Sequence, residues 1–415
     1  MLVSVITLGC KVNEYESQSI LNQFKQKGYE ITEGFVYADV YVINTCAVTN
    51  MAERKSRQVL AKINKLNSEA KIVVCGCAVQ NNPCQFLVNE NIIAITGNAK
   101  KCDIIKFVEN KNKELPEIDN QVYENMPRPI ETRTRQFIKI QDGCDYFCTY
   151  CLIPYVRGRS RSRNLNDIID EIKNTKANEI VLTGINMSDY KIDGKLALKT
   201  LIKEIDKLNV RFRISSLECL ILDDEMLEIL SNSKNFCPHF HLSLQSACNE
   251  TLKRMNRHYT IEQFKEIVKK IKQKFTLPCI ATDLIVGFVG ETDEEFENTY
   301  QNLKEIEFSA MHVFPYSERS GTVASKIGKP VDKCVVKGRE AKLLGLTNQF
   351  KQKFFEQNKN TVHTMLVEEV EDGYLVGYTE NYVYCYLKAD FKVGDIIKVE
   401  LTENYKQGMI AVLVD

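Results

Sequence analysis

The sequence predicts an α/β protein in three parts: a Rossmann-like parallel α/β unit, a partial (β/α) barrel, and a small antiparallel β barrel at the carboxyl end. Three observations predict it. Short apolar runs alternate with helical periodicity through residue 95, and the same beat resumes for six more strands after a polar, proline-bearing stretch. The last sixty residues then change to short strands separated by tight turns.

Residues 2–8 (LVSVITL), 40–43 (VYVI), 72–75 (IVVC) and 92–95 (IIAI) are the first buried strands, with helices between them and a parallel, doubly wound sheet as the consequence. In one intervening helix Val59, Ile63 and Leu66 fall at i, i+4, i+7 beside Arg54, Lys55, Arg57 and Lys62, the apolar stripe of a helix that covers a sheet. Residues 109–130 hold three prolines and no periodicity and form a connector. Strands then recur at 137–140, 179–183, 211–215, 239–244, 280–286 and 311–314, each with a helical stretch after it, which fits a partial or complete parallel barrel. From 356 onward five short strands, with turns at Asp372-Gly373 and Gly394-Asp395, form a small antiparallel barrel. The expected boundaries are 1–115, 130–355 and 356–415.

Length and charge bound the function. A chain of 415 residues is too long for one core. Lys plus Arg and Asp plus Glu both number 55, so no net field attracts nucleic acid and any RNA site must be a local patch. Between Arg128 and Arg163 eight cations face three carboxylates, a balance of plus five, whereas residues 356–415 balance at minus six, with five Lys against seven Glu and four Asp. Arg157 and the Arg159-Ser160-Arg161 run could neutralise a carboxylate or RNA phosphates, or form a solvated basic face. Tyr378, Tyr382, Tyr384 and Tyr386 could stack on unpaired bases, although alternation places some of them in the core. No apolar run reaches the ~20 residues that span a bilayer; the expectation is a cytoplasmic protein. Fifteen cysteines without a secretion signal argue for reduced thiols with ligand duties.

Cys144, Cys148 and Cys151, in QDGCDYFCTYC, place three thiolates within eight residues. Three soft ligands on one loop suit a [4Fe-4S] cubane with one iron left open. Structural zinc is the alternative, but it wants four closed ligands and no fourth Cys or His follows at finger-like distance. Cys10, Cys46 and Cys77 each lie one to three residues past a strand end, the face of a doubly wound sheet where sites are built. They are either a second metal site or buried thiols, with Cys75 an alternative ligand to Cys77. The pair His239 and His241 alternates on a strand and reads as packing rather than metal.

The strings LGCKVNEYES, NTCAVT and GCAVQ, the Cys144-Cys148-Cys151 triplet, and LTGIN, SSLE, HLSLQS, DLIVGF, GET and HVFPYSERSGT together resemble the radical S-adenosylmethionine (radical SAM) methylthiotransferase family over essentially the full length. The last sixty residues resemble its TRAM domain, and GCKVN resembles the branch that acts on threonylcarbamoyladenosine. Val79, Ala247-Cys248 and Val289 depart from the family pattern. The resemblance implies a transferase that adds a methylthio group to carbon 2 of the adenine ring of threonylcarbamoyladenosine beside the tRNA anticodon. It implies two [4Fe-4S] clusters, on Cys144, Cys148 and Cys151 and on Cys10, Cys46 and Cys77, with S-adenosylmethionine as cosubstrate. Tyr150, Gly184, Glu218, Ser243 and Gln245 are the candidates for holding S-adenosylmethionine, each alternatively a packing or turn residue. The implied partners are the tRNA anticodon loop, a low-potential electron donor such as flavodoxin or ferredoxin, and a sulfur donor. The same chemistry on isopentenyladenosine tRNA or a ribosomal protein, and a non-catalytic iron-sulfur RNA-binding redox sensor, are the other readings.

Overall fold

The computed structural model describes residues 1–131 and 133–414. Five wholly parallel strands, β1 (Leu2–Thr7), β2 (Glu30–Glu33), β3 (Val40–Thr45), β4 (Lys71–Gly76) and β5 (Ile92–Gly97), lie in the order β2-β1-β3-β4-β5. Strand β3 is buried along its whole length, as a central strand covered on both faces must be, and this is why it reads as a continuous apolar run. The chain reverses its winding between β1 and β3, so their carboxyl ends open the crevice at the topological switch point. Helix α1 (Lys11–Gln26) follows β1, α2 (Asn50–Leu66) follows β3, and the short α3 (Cys77–Asn81) follows β4. On α2 the buried stripe is Val59, Leu60 and Ile63, while Leu66 is exposed in the last turn. This corrects the expected stripe, because the helix ends just past the sheet it covers. The connector is pinned rather than free: Ser19 Oγ donates to Pro127 O at 2.6 Å and Asn22 Nδ2 to Arg128 O at 2.8 Å.

Six parallel strands follow in chain order. Strands β6 (Arg135–Lys139), β7 (Glu179–Thr183) and β8 (Arg211–Ile214) form one three-stranded sheet, and β9 (His239–Gln245), β10 (Cys279–Val286) and β11 (Ala310–Pro315) form another. Single bridges, Phe212 to Phe236 and Leu217 to Leu242, stitch the two together. The result is a partial barrel. Strand β9 shows its logic: Phe240, Leu242 and Leu244 enter the core under the helices, whereas His239, His241, Ser243 and Gln245 alternate onto the half-buried opposite face. The loop after β6 leads into a short helix, α4 (Ile153–Arg157), and a 26-residue helix, α5 (Lys333–Asn358), packs against β11.

The last part is a closed five-stranded barrel of β12 (Val362–Glu371), β13 (Tyr374–Thr379), β14 (Tyr384–Leu387), β15 (Ile396–Tyr405) and β16 (Gly408–Leu413). Four of the pairings are antiparallel, as expected, and one, β14 with β16, is parallel, because closing five strands puts these two side by side in the same direction. No described helix is long and apolar enough to cross a membrane.

Glu179, at the start of β7, ties this barrel to the central one. It is fully buried, accepts from Arg213 Nε at 2.7 Å and forms an ion pair with Arg211 at 2.6 Å, and Arg213 Nη2 donates onward to Thr379 O at 2.6 Å. Burial alone would raise the Glu179 carboxyl, but Arg213, Arg211 and Arg135 outweigh it and hold the pKa below its ordinary value. A depressed folded value means the stabilisation is complete above the unfolded carboxylate pKa of about 4.3 and is lost as pH falls through the folded one. Glu179→Gln is expected to cost about 3–5 kcal/mol at pH 7 because it strands buried guanidinium charge, and the difference from wild type should shrink below about pH 4. Urea melts at pH 7 and pH 3.5 check this; an equal deficit at both would refute it.

Candidate cluster and cofactor site

The loop after β6 carries the triplet. Gly143, at φ +73°, lets it turn, and a Cβ there would stand 1.9 Å from Arg159 O. The Cys144 amide donates to Gly158 O at 3.1 Å, so the loop is laid against the stretch that follows α4. Each sulfur receives a donor: the Tyr146 amide to Cys144 at 3.5 Å, Arg257 Nη1 to Cys148 at 3.3 Å, and the Ile153 amide to Cys151 at 3.4 Å. Burial pushes the Cys144 thiol up to about 11 and Cys151 to about 12. Such thiols stay protonated at neutral pH unless a metal takes the proton's place.

Cys10, Cys46 and Cys77 follow the carboxyl ends of β1, β3 and β4 and lie near enough to feel one another's charge. Gly9, at φ +102°, brings the chain so close that a Cβ would sit 2.7 Å from Cys46 Sγ. Asn98 Nδ2 donates to Cys77 Sγ at 3.3 Å and to Val156 O at 2.8 Å, which joins this trio to α4 and the triplet loop. Cys10 is open to solvent by surface area, yet protein surrounds it closely enough that burial raises its thiol; the nearby Arg157 opposes and Cys77 adds to the rise. Burial pushes Cys46 up to about 12. Cys75 is fully buried inside β4, and its Sγ lies 3.7 Å from Ile43 O.

Neither trio is a cage for one small ion. Sulfurs around tetrahedral zinc stand about 3.8 Å apart, but among the described residues only His241, Asp283 and His312 bring three ligand atoms within 4.8 Å of one another. In neither trio do all three sulfurs lie within 4.8 Å of one another.

Between the trios lies a buried charge network. Glu16 accepts from Lys101 Nζ at 2.5 Å, Lys139 Nζ at 2.7 Å and Arg157 Nη1 at 2.9 Å, and Asp142 accepts from Lys139 at 2.7 Å and Arg157 at 3.0 Å. With Arg161 Nη2 4.0 Å from Asp142 as well, cations outnumber carboxylates, and the positive excess is placed where the Cys77 sulfur feels it. Buried excess charge calls for an anion, and a thiolate-ligated cluster is one. The expected basic patch is therefore corrected: Arg157, Arg161, Arg163 and Lys139 are internal, and Arg133 and Arg135 reach Glu14 and Glu368 at 2.8 and 2.6 Å. Arg128 and Arg159 keep about half of the side chain exposed, but both are paired, with Asp170 and Asp145.

The expected S-adenosylmethionine residues are brought together in part. Arg257, which neither spacing nor motif flags, joins Cys148, the Glu218 carboxylate and Ser243 O, the last at 2.9 Å. Tyr150 stands in the field of the same Cys148 and Arg257 and meets Phe288 edge-on at 6.2 Å. Gly184 makes a close approach, since a Cβ would lie 2.9 Å from Met187 Cγ and 3.2 Å from Gln141. Gln141 in turn donates to Gly143 O at 2.7 Å and accepts from the Asn186 amide at 2.7 Å, so a side chain at 184 would disturb the triplet loop. Gln245 holds φ +67° at the end of β9. Ala247 and Cys248 are buried, with Ala247 in the central core.

His239 is packing, stacked on Tyr382 at 3.9 Å. His241 is not: Ser216 Oγ at 2.7 Å from Nδ1 turns Nε2 toward Asp283. The tyrosines also depart from an open stacking platform. Tyr386 is buried, and Tyr382 is sandwiched between His239 and Tyr378, 4.4 Å away.

Residues 138–303 match the family described as the Radical SAM superfamily, and residues 2–97 match an uncharacterized protein family, UPF0004. The chain is 37% identical to the threonylcarbamoyladenosine tRNA methylthiotransferase MtaB of Bacillus subtilis, over 100% of this chain and 97% of that one. It is 37% identical to the Aquifex aeolicus MtaB, over 96% and 100%. A tRNA-2-methylthio-N(6)-dimethylallyladenosine synthase of Natranaerobius thermophilus is 32% identical over 96% and 94%. In fold it is similar to the radical S-adenosylmethionine methyltransferase TsrM of Kitasatospora setae, at a TM-score of 0.56 and 13% identity over 76% of this chain and 74% of that one. Identity of 37% sustained across whole chains means that this chain belongs to the radical SAM tRNA methylthiotransferase family.

Proposed function

We propose that this enzyme adds a methylthio group to carbon 2 of the adenine ring in threonylcarbamoyladenosine beside the anticodon, using two [4Fe-4S] clusters. Cys144, Cys148 and Cys151 would hold one, and Cys10, Cys46 and Cys77 the other. The observation that carries this reading is the meeting of two three-thiol sets on one buried network centred on Arg157. When bound, a [4Fe-4S] cluster with one iron free of cysteine supplies the reductive cleavage of S-adenosylmethionine. Such chemistry is needed because a ring carbon–hydrogen bond yields to no side-chain base at ordinary pKa values.

The chain's own residues prepare the place. Arg257 fixes Cys148 relative to the ends of β8 and β9, and Glu218 neutralises it. Gln141 braces the loop, and Tyr150, Gly184, Ser243 and Gln245 are the further residues assigned to S-adenosylmethionine. The division at 1–115, 130–355 and 356–415 puts one trio in each of the first two parts. A low-potential electron donor and a sulfur donor complete the stoichiometry, and the anticodon loop is the macromolecular partner.

Mass spectrometry of tRNA nucleosides from cells with and without the gene tests the substrate. Loss of methylthio-threonylcarbamoyladenosine on deletion is expected. Loss of the methylthio-isopentenyl nucleoside instead would move the chain to the other branch, whose Natranaerobius member is 32% identical.

A further inference from the structure

A cavity of about 400 Å³ lies where the three parts of the chain meet, lined among others by Lys11, His239, Asp283, His312, Tyr378 and Tyr382. Lys11 comes from the amino-terminal unit and directly follows Cys10. It also lines the adjoining recess with Arg135 and Arg213.

Lys11 and Lys351, both on the cavity wall, differ from the arginines and the lysine around them. Arg135 pairs with Glu368 at 2.6 Å and Arg213 with Glu179 at 2.7 Å. Further in, Lys101 pairs with Glu16 at 2.5 Å and Arg257 with Glu218. The Lys11 ammonium makes no hydrogen bond and no ion pair among the described residues. Asp283, the cavity's one carboxylate among the described residues, is engaged elsewhere: His312 Nδ1 lies 3.1 Å and His241 Nε2 3.3 Å from its Oδ1. The His241 Nε2 atom is itself buried without a hydrogen bond. With Lys11 and Lys351 both on the wall, the cavity carries more positive than negative charge. That balance opposes a divalent cation at His241, Asp283 and His312 and favours an anion.

We propose that this cavity receives the substituent on the substrate adenine and that Lys11 pairs with its carboxylate, so that the enzyme selects a base bearing a carboxylated side chain. The inference rests on the threonylcarbamoyladenosine reading, because the threonyl group supplies the carboxylate. The position of Lys11 suits this role, since it follows Cys10 in the chain and lines the cavity. An isopentenyl group offers Lys11 nothing to pair with.

The test uses three anticodon stem-loops, carrying threonylcarbamoyladenosine, its threoninamide analogue, or plain adenosine, with binding to the anaerobically reconstituted full chain read by fluorescence anisotropy. Wild type should bind the acid about tenfold tighter than the amide, the scale of one charge-assisted pair. Lys11→Met should erase that difference and Lys11→Arg should keep part of it. Equal affinity of wild type for acid and amide would overturn the inference, and so would a Lys11→Met variant that weakens all three loops alike, which would mark a phosphate contact. Should Lys11→Met fail to take up iron, the acid-versus-amide comparison on wild type decides alone. Product formation separates the two levels. Methylthio product from the acid loop without acid–amide discrimination sinks only the role of Lys11, whereas no product from the acid loop sinks the substrate reading itself.

Discussion

Replacing Cys10, Cys46 and Cys77 together by alanine will lower the iron of the anaerobically reconstituted chain from about eight atoms to about four, since each cubane holds four. It will abolish the methylthio product while S-adenosylmethionine is still cleaved to deoxyadenosine. The separation follows from how each set is held. The triplet loop takes its shape from Gly143, Gln141 and Arg257, all in the central barrel. The other trio depends on Gly9 and Asn98, both in the amino-terminal sheet unit. Replacing Cys144, Cys148 and Cys151 should remove as much iron but take deoxyadenosine with it. Eight irons in the first variant, or any methylthio product from it, would contradict the assignment.

What the sequence discloses and what it hides have a common physical cause. Strands buried on both faces, such as 40–45, advertise themselves as apolar runs. The edge strand β2, Glu-Ile-Thr-Glu and half exposed, has no such run and carries no signal of its own. The cysteines stand out because their positions after strand ends are local facts. Arg257 does not, because its partners Cys148 and Glu218 are 109 and 39 residues away. The basic segment misleads for the same reason. Charge counted along the chain cannot foresee that Glu16, 141 residues before Arg157, closes on it inside the protein. Tyr382 likewise reads as a surface stacking face until β9 supplies His239.

That long-range closure makes Arg157 the most vulnerable side chain outside the cysteines. Its guanidinium is 1% exposed and bonds Glu16 and Asp142 while donating to Asn13 Oδ1 at 2.7 Å, and its own helix packs on α3, which begins at Cys77. Arg157→Met keeps much of the aliphatic volume but leaves three acceptors short, for an expected loss of about 3–5 kcal/mol in the first urea transition. The network also loses one positive charge beside Cys77, so the adjacent trio should lose iron before the triplet does. Arg157→Lys keeps the charge without the fork and should fall between the two. Glu16→Gln combined with Arg157→Met should cost less than the sum of the single changes, because they share one contact. An Arg157→Met protein with a wild-type urea midpoint and full iron would show that the network neither joins the two parts nor balances a cluster.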